Sequence, residues 1–320
     1  MDIALNIGLV IVGLAGLYFG AEWLVLGATR IALAAGLSTL VVGLTVVAFG
    51  TSMPELIVSI QANLQGNGDF ALGNIIGSNI CNLGLVLAVA AIMTPLAVQP
   101  QVIRRELPLL VIVTVAFVIM LLADSMIGRI EGLILSLGIA AYTVISIVIA
   151  RRSPDQSLVD ADELKEVAEG NVGMPVNFGI IAGGLVTLAI GSNCLVSGGE
   201  FLATKMGVSQ AVIALTLVAF GTSLPELATT VVACLKGESD LAAGNAIGSC
   251  LFNLLCVAGF TAAINPITAT TIAIVDLLVV TSFPVAIFLM AKLKAKISRA
   301  SGIILLAAYL LYIVFLGLRG

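Results

Sequence analysis

Thr45 to Leu56 read TVVAFGTSMPEL, and Thr216 to Leu227 read TLVAFGTSLPEL, identical at 10 of 12 positions. At the same offset of 171 residues, GNIIGSNICNL (Gly73 to Leu83) returns as GNAIGSCLFNL (Gly244 to Leu254), identical at 7 of 11. The register also holds upstream, where Gly20, Leu24, Val25 and Gly27 meet Gly191, Leu195, Val196 and Gly198 without a gap. The chain is an internal duplication.

Composition says where that duplication sits. The 320 residues are 60% hydrophobic and 10% charged, with a mean hydropathy of +1.20. A soluble domain carries about 25% charged residues, so soluble enzymes and nucleic-acid binders are excluded. A spanning helix needs about 20 apolar residues. Ten such stretches run about 3–29, 37–62, 70–95, 106–124, 130–150, 174–200, 208–236, 241–264, 271–291 and 299–318. The expected fold is an all-α membrane protein of ten transmembrane helices. The first stretch lacks a basic lead and is too long for a signal peptide.

Residues 1–151 then form one five-helix repeat, with its motifs at 45–83, and residues 174–320 the second, with motifs at 216–254. Between them lies a linker, 152–173, made acidic by Asp155, Asp160, Asp162, Glu163, Glu166 and Glu169. With the N-terminus outside, eleven Lys and Arg face the cytoplasm and three, Arg129, Lys205 and Arg319, face out. That bias sets the N-terminus outside and the linker in the cytoplasm of a multi-pass cell-membrane protein. Five spans per repeat is an odd number, so the second repeat enters the membrane inverted. Inverted repeats are the mark of secondary transporters, with a binding site at the midplane.

The motifs supply the chemistry of such a site. Pro54 lacks an N–H and its ring clashes with the Gly50 carbonyl; Pro225 does the same at Gly221. Each helix is expected to kink and free carbonyl oxygens, which a bilayer tolerates only when something satisfies them. Thr51, Ser52 and Glu55 crowd one break, and Thr222, Ser223 and Glu226 the other. A charge at the centre of a spanning helix costs roughly 2.5–3.5 kcal/mol on the lenient insertion scale, and no Lys or Arg lies deep enough to pair with either acid. A shared divalent cation would neutralise both; two protonated, hydrogen-bonded carboxyls are the plainer alternative. Asn74, Ser78 and Asn82 are spaced by four on one face of the next helix, and Asn245, Ser249 and Asn253 repeat the stripe. The fixed offset of Ser78, Asn82, Ser249 and Asn253 from the acids favours a ligand role, while Asn74 and Asn245 could equally be interhelical hydrogen-bonders. The small-xxx-small pairs Gly73/Gly77 and Gly244/Gly248 read as packing positions. Glu200 and Asp276 read as interfacial, and Glu22, whose repeat counterpart is Asn193, as lining an entry path or sitting near the interface.

Every donor here is oxygen, which suits hard cations such as Ca²⁺, Mg²⁺, Mn²⁺ or Na⁺. The chain has no histidine, and its five cysteines form no CxxC pair. No cofactor is expected, and the expected partners are the transported ions and the lipid bilayer, with no nucleic acid and no obligatory protein.

At these residues the chain resembles the alpha repeats of the Ca²⁺/cation antiporter superfamily, and within it the prokaryotic sodium/calcium exchanger group. The resemblance implies that Glu55 and Glu226 bind Ca²⁺ and share the site with Na⁺, and that the Thr51 and Thr222 carbonyls complete the calcium site. It further implies that Ser52, Ser78, Ser223, Ser249 and the Ala48 and Ala219 carbonyls help bind sodium. The first helix of each half would slide to alternate access. Many relatives carry Asp where this chain has Asn253, a pattern similar to that of potassium-dependent members. Its absence argues against potassium dependence and removes one carboxylate that could carry a proton. The implied activity is Ca²⁺/Na⁺ antiport, not enzymatic catalysis. A H⁺/Ca²⁺ or K⁺-dependent exchanger is the alternative within the class, and a cation channel the alternative outside it. An intramembrane hydrolase would need a buried base that the chain lacks.

Overall fold

The computed structural model describes residues 3–152, 173–206, 219–268, 270 and 272–319. Eight helices among these are long and apolar enough to cross a membrane. They are α1 (Ile3–Ala35), α4 (Gly68–Met93), α5 (Val102–Asp124), α6 (Arg129–Arg152), α7 (Met174–Lys205), α10 (Ser239–Ile264), α11 (Ile274–Lys294) and α12 (Arg299–Arg319). A bent pair, α2 (Thr39–Thr51) and α3 (Met53–Leu64), meets at 41° and counts as a ninth where the two are taken as one span. The span expected at 208–236 is described only from its middle onward, as α8 (Ala219–Gly221) and α9 (Leu224–Leu235). Residues 208–218 and the body of the acidic linker lie outside the described residues.

The outer surface explains the composition. Ile112, Ile130, Leu137, Leu311 and Leu318 are large, apolar and exposed, a surface that is stable against lipid tails and not against water. α4 and α10 are the exceptions, mostly buried where the other spans bury well under half. These two central helices carry the polar stripes.

Two details depart from an uninterrupted helical bundle. The pairs β1 (Leu96–Ala97) with β4 (Lys296–Ile297) and β2 (Met126–Ile127) with β3 (Ile267–Thr268) form two-residue antiparallel bridges. β1 and β3 are related by the offset of 171 and β2 and β4 by one of 170, the register having slipped by one residue, so the two bridges are equivalent. Each ties one half of the chain to the other.

α1 and α7 lie along each other with their backbones in contact. A Cβ on Gly20 would stand 2.8 Å from the Leu188 amide nitrogen, and one on Gly191 would stand 2.8 Å from that of Leu17. Only glycine fits this approach. The motif glycines split. Gly244 and Gly248 press on the Leu40 and Leu44 backbone of α2, as their spacing predicts, but among the described residues nothing approaches Gly73 or Gly77 within contact distance. They line a cavity instead.

Candidate cation site

Both helix breaks fall one residue before the second half-helix. Ser52 leaves the helical range at φ −85° and ψ 5°, and Ser223 does so at φ −90° and ψ 6°. Proline then occupies the first turn of α3 and of α9, where a missing N–H costs nothing. Glu55 and Glu226 share that turn. A carboxylate at a helix N-terminus meets the positive end of the helix dipole, while the end of α2 delivers carbonyl oxygens of opposite sign to the same place. The carbonyl that Pro225 frees, that of Gly221, accepts a 2.6 Å hydrogen bond from Ser192 of α7. Sequence reading missed Ser192, because its counterpart in the first half is Ala21.

The acids are held crosswise. Ser52 Oγ donates to Glu226 Oε1 at 3.1 Å, and Ser223 Oγ donates to Glu55 Oε1 at 3.3 Å. Thr51 Oγ1 lies 3.2 Å from Asn245 Oδ1, and Thr222 Oγ1 lies 3.3 Å from Asn74 Oδ1. The two asparagines left open by the sequence are therefore hydrogen-bonders between elements. Asn74 Nδ2 donates to the Glu55 carbonyl and to Ser59; Asn245 Nδ2 donates to the Glu226 carbonyl and to Thr230. Ser59 and Thr230 are also related by the offset of 171, a signal that lies just beyond the ends of the repeated motifs.

Both acids and the other stripe residues of α4 and α10 also carry unpaired atoms. Glu55, Glu226, Asn82, Asn253 and Ser249 are fully buried and Ser78 is 1% exposed. Oε2 of each glutamate, both serine hydroxyls and all four amide atoms of Asn82 and Asn253 have no hydrogen-bond partner among the described residues. Ser78 faces Glu55, and the two carboxylates are close enough to repel each other. Asn82 and Asn253 each open a π-helical turn, Asn82–Val86 and Asn253–Val257, a distortion concentrated at functional sites. Of the backbone positions named for sodium, Ala48 is buried in α2 and Ala219 opens α8.

A buried carboxylate oxygen without a donor costs several kcal/mol unless a cation or water meets it. Among the described residues, no Lys or Arg forms an ion pair with either glutamate, and no three His, Cys, Asp or Glu side chains cluster as a metal site. A cation here would be held by two carboxylates and neutral oxygens. Asp276 lies in the first turn of α11, at a span end as the sequence places it, but it is not free there. It is 7% exposed, accepts from Tyr312 at 2.9 Å and pairs with Arg319 at 3.0 Å, on the wall of the cavity. Glu22 is only partly exposed and pairs with Lys236.

The spans and these buried oxygens fit a multi-pass membrane transporter, the class that the family match gives in place of an enzyme. The chain belongs to the sodium/calcium exchanger protein family, whose model matches residues 5–148 and 176–318. The family's ions, Ca²⁺ and Na⁺, are transported substrates, not cofactors. The inner membrane protein YrbG of Escherichia coli is 36% identical, covering 81% of this chain and 79% of its own length. The sodium/calcium exchanger MaX1 of Methanosarcina acetivorans is 30% identical, covering 98% of this chain and 99% of its own. The solved structure of the sodium-calcium exchanger NCX_Mj, soaked with zero Na⁺ and Ca²⁺, superposes with a TM-score of 0.84 at 28% identity. That match covers 98% of this chain and 100% of the other.

Proposed function

We propose that the chain is a Ca²⁺/Na⁺ antiporter of ten spans in two inverted five-helix repeats, 1–151 and 174–320, joined by a cytoplasmic linker in the cell membrane with the N-terminus outside. The two-part family match supports the division, and the excess of Lys and Arg on one side supports the orientation. The carrying observation is the pair of fully buried glutamates, each with an unpaired Oε2.

Charge gives the logic of exchange. Without cargo, two carboxylates in low dielectric repel each other, and the carrier does not cross between states. One Ca²⁺, or several Na⁺ spread over the oxygens, brings the site near neutrality and lets it close. Glu55 and Glu226 bridge the ion, the Thr51 and Thr222 carbonyls complete the calcium shell, and Ser52, Ser78, Ser223, Ser249, Asn82 and Asn253 with the Ala48 and Ala219 carbonyls provide the sodium positions. Six to eight oxygens suit Ca²⁺, which accepts flexible geometry. α1 and α7, in backbone contact, move over the rest as one unit.

Uptake of calcium into proteoliposomes under an outward sodium gradient tests the proposal. Uptake that follows sodium and ignores potassium and pH is expected. Uptake driven by a pH gradient without sodium would establish the H⁺/Ca²⁺ exchanger instead, and calcium currents without a counter-ion would establish a channel.

A further inference from the structure

The two half-helices that carry the acids present unequal surfaces. On α9, Leu224, Pro225, Thr229 and Val232 are buried. Their counterparts on α3 at the offset of 171, Met53, Pro54, Val58 and Gln61, are partly or fully exposed. The neighbours explain the difference: α1 packs along α9, whereas α7 stands off from α3. A cavity of about 1300 Å³ fills that gap, with Val58 and Gln61 on one wall and Ser192 and Val196 on the other, and it reaches Thr51 and Ser78. Among the described residues, the α3 side of the glutamates borders this cavity and the α9 side is packed.

The packed side holds contacts that the cavity side cannot reproduce. Lys236 follows α9, ten residues beyond Glu226 and so about 15 Å from it along the helix. Its Nζ lies 3.1 Å from Oε1 of Glu22 on α1. Thr29, two turns further along α1, donates to Glu238 at 3.4 Å. The counterparts of the ion pair are Gln65 and Asn193, two neutral amides. Closing α7 onto α3 therefore gains no equivalent charge pair. Because the two repeats agree so closely in their motifs, this difference in the flanking residues is a ready source of unequal populations for the two states.

We infer that Glu22–Lys236, supported by Thr29–Glu238, is a one-sided latch that holds α1 on the core and biases the resting carrier toward the state open at the α3 face. The latch rests on the alternating-access reading above, under which the α9 face is cytoplasmic. Both side chains are about a third exposed, so the pair tilts the equilibrium by about 1.5- to 5-fold instead of locking it.

The test reads conformation without transport. Gln61→Cys and Val232→Cys are labelled with a membrane-impermeant maleimide, Gln61→Cys on intact cells and Val232→Cys on inside-out vesicles, with the native thiols of the unsubstituted protein as background. Adding Glu22→Gln or Lys236→Gln is expected to raise the labelling rate of Val232→Cys by about 1.5- to 5-fold. The charge-swapped pair Glu22→Lys with Lys236→Glu is expected to restore the parent rate. Unchanged Val232→Cys labelling in both single variants, or a swap no better than the singles, overturns the latch. A rise at Gln61→Cys as well means the fold has loosened, and also overturns it. Absence of sodium-driven uptake by the unsubstituted protein would count against the antiport proposal, while the labelling rates would still decide for or against the latch.

Discussion

The hydroxyl of Ser52 lies 3.1 Å from Oε1 of Glu226, and Ser223 returns the contact to Glu55 at 3.3 Å, so each half of the chain holds the acid of the other. A cation bound between the acids is then a joint between the halves. Removing either hydroxyl leaves the acids in place and strips one neutral oxygen from the sodium positions. Ser52→Ala and Ser223→Ala are expected to raise the sodium concentration for half-maximal exchange by about 2- to 10-fold, the effect of one lost hydrogen bond or its equivalent. Calcium affinity should move less. Sodium titration of calcium uptake at fixed calcium checks this, and a larger effect on calcium would reassign the serines.

The α1–α7 contact predicts a sharp difference between glycines on one helix. Gly191 meets the Leu17 amide nitrogen at 2.8 Å from where a Cβ would be, while Gly183 meets nothing within 4 Å among the described residues. Gly191→Ala should lower the thermal midpoint in detergent and cut exchange strongly, because overpacking against backbone costs about 1–3 kcal/mol. Gly183→Ala should leave both within error. Equal behaviour of the two variants would contradict the backbone contact.

Ser192 is predicted to matter through the carbonyl it satisfies. Its 2.6 Å bond to the Gly221 oxygen is buried, and an orphaned buried acceptor costs about 1–3 kcal/mol. Ser192→Ala should therefore destabilise the purified protein by about that amount, and Ser192→Cys, a weak donor, by less. Ala21, at the equivalent position on α1, has no such bond to lose, so Ala21→Ser should bring no matching gain. Thermal unfolding followed by tryptophan fluorescence at the single Trp23 compares the three.

The site was legible in the sequence wherever chemistry repeats at the offset of 171. Pro54 and Pro225 fix the breaks, and the residues that follow are the acids, so both could be read without coordinates. Asn74 and Asn245 were ambiguous because the partners of their Oδ1 atoms, Thr222 and Thr51, sit in the opposite repeat, and no local spacing encodes a contact between repeats. The π-helical turns at Asn82 and Asn253 depend on how α4 and α10 pack, and leave no trace in residue type. The partners of Asp276 were not legible because Tyr312 and Arg319, 36 and 43 residues away, supply its compensation. The cavity beside α3 was invisible for a different reason. On the alternating-access proposal it is one of two arrangements, and the motifs would be the same in both.

The central claim is that Glu55 and Glu226 share one divalent cation as transported substrate. Glu55→Gln and Glu226→Gln keep the shape and remove one charge each, so the remaining acid cannot neutralise Ca²⁺. Sodium-driven uptake of radioactive calcium by proteoliposomes bearing each variant, matched for protein content and thermal stability, is the direct measurement. Both variants are expected to fall to the level of empty liposomes. Substantial retained exchange in either one would contradict the account.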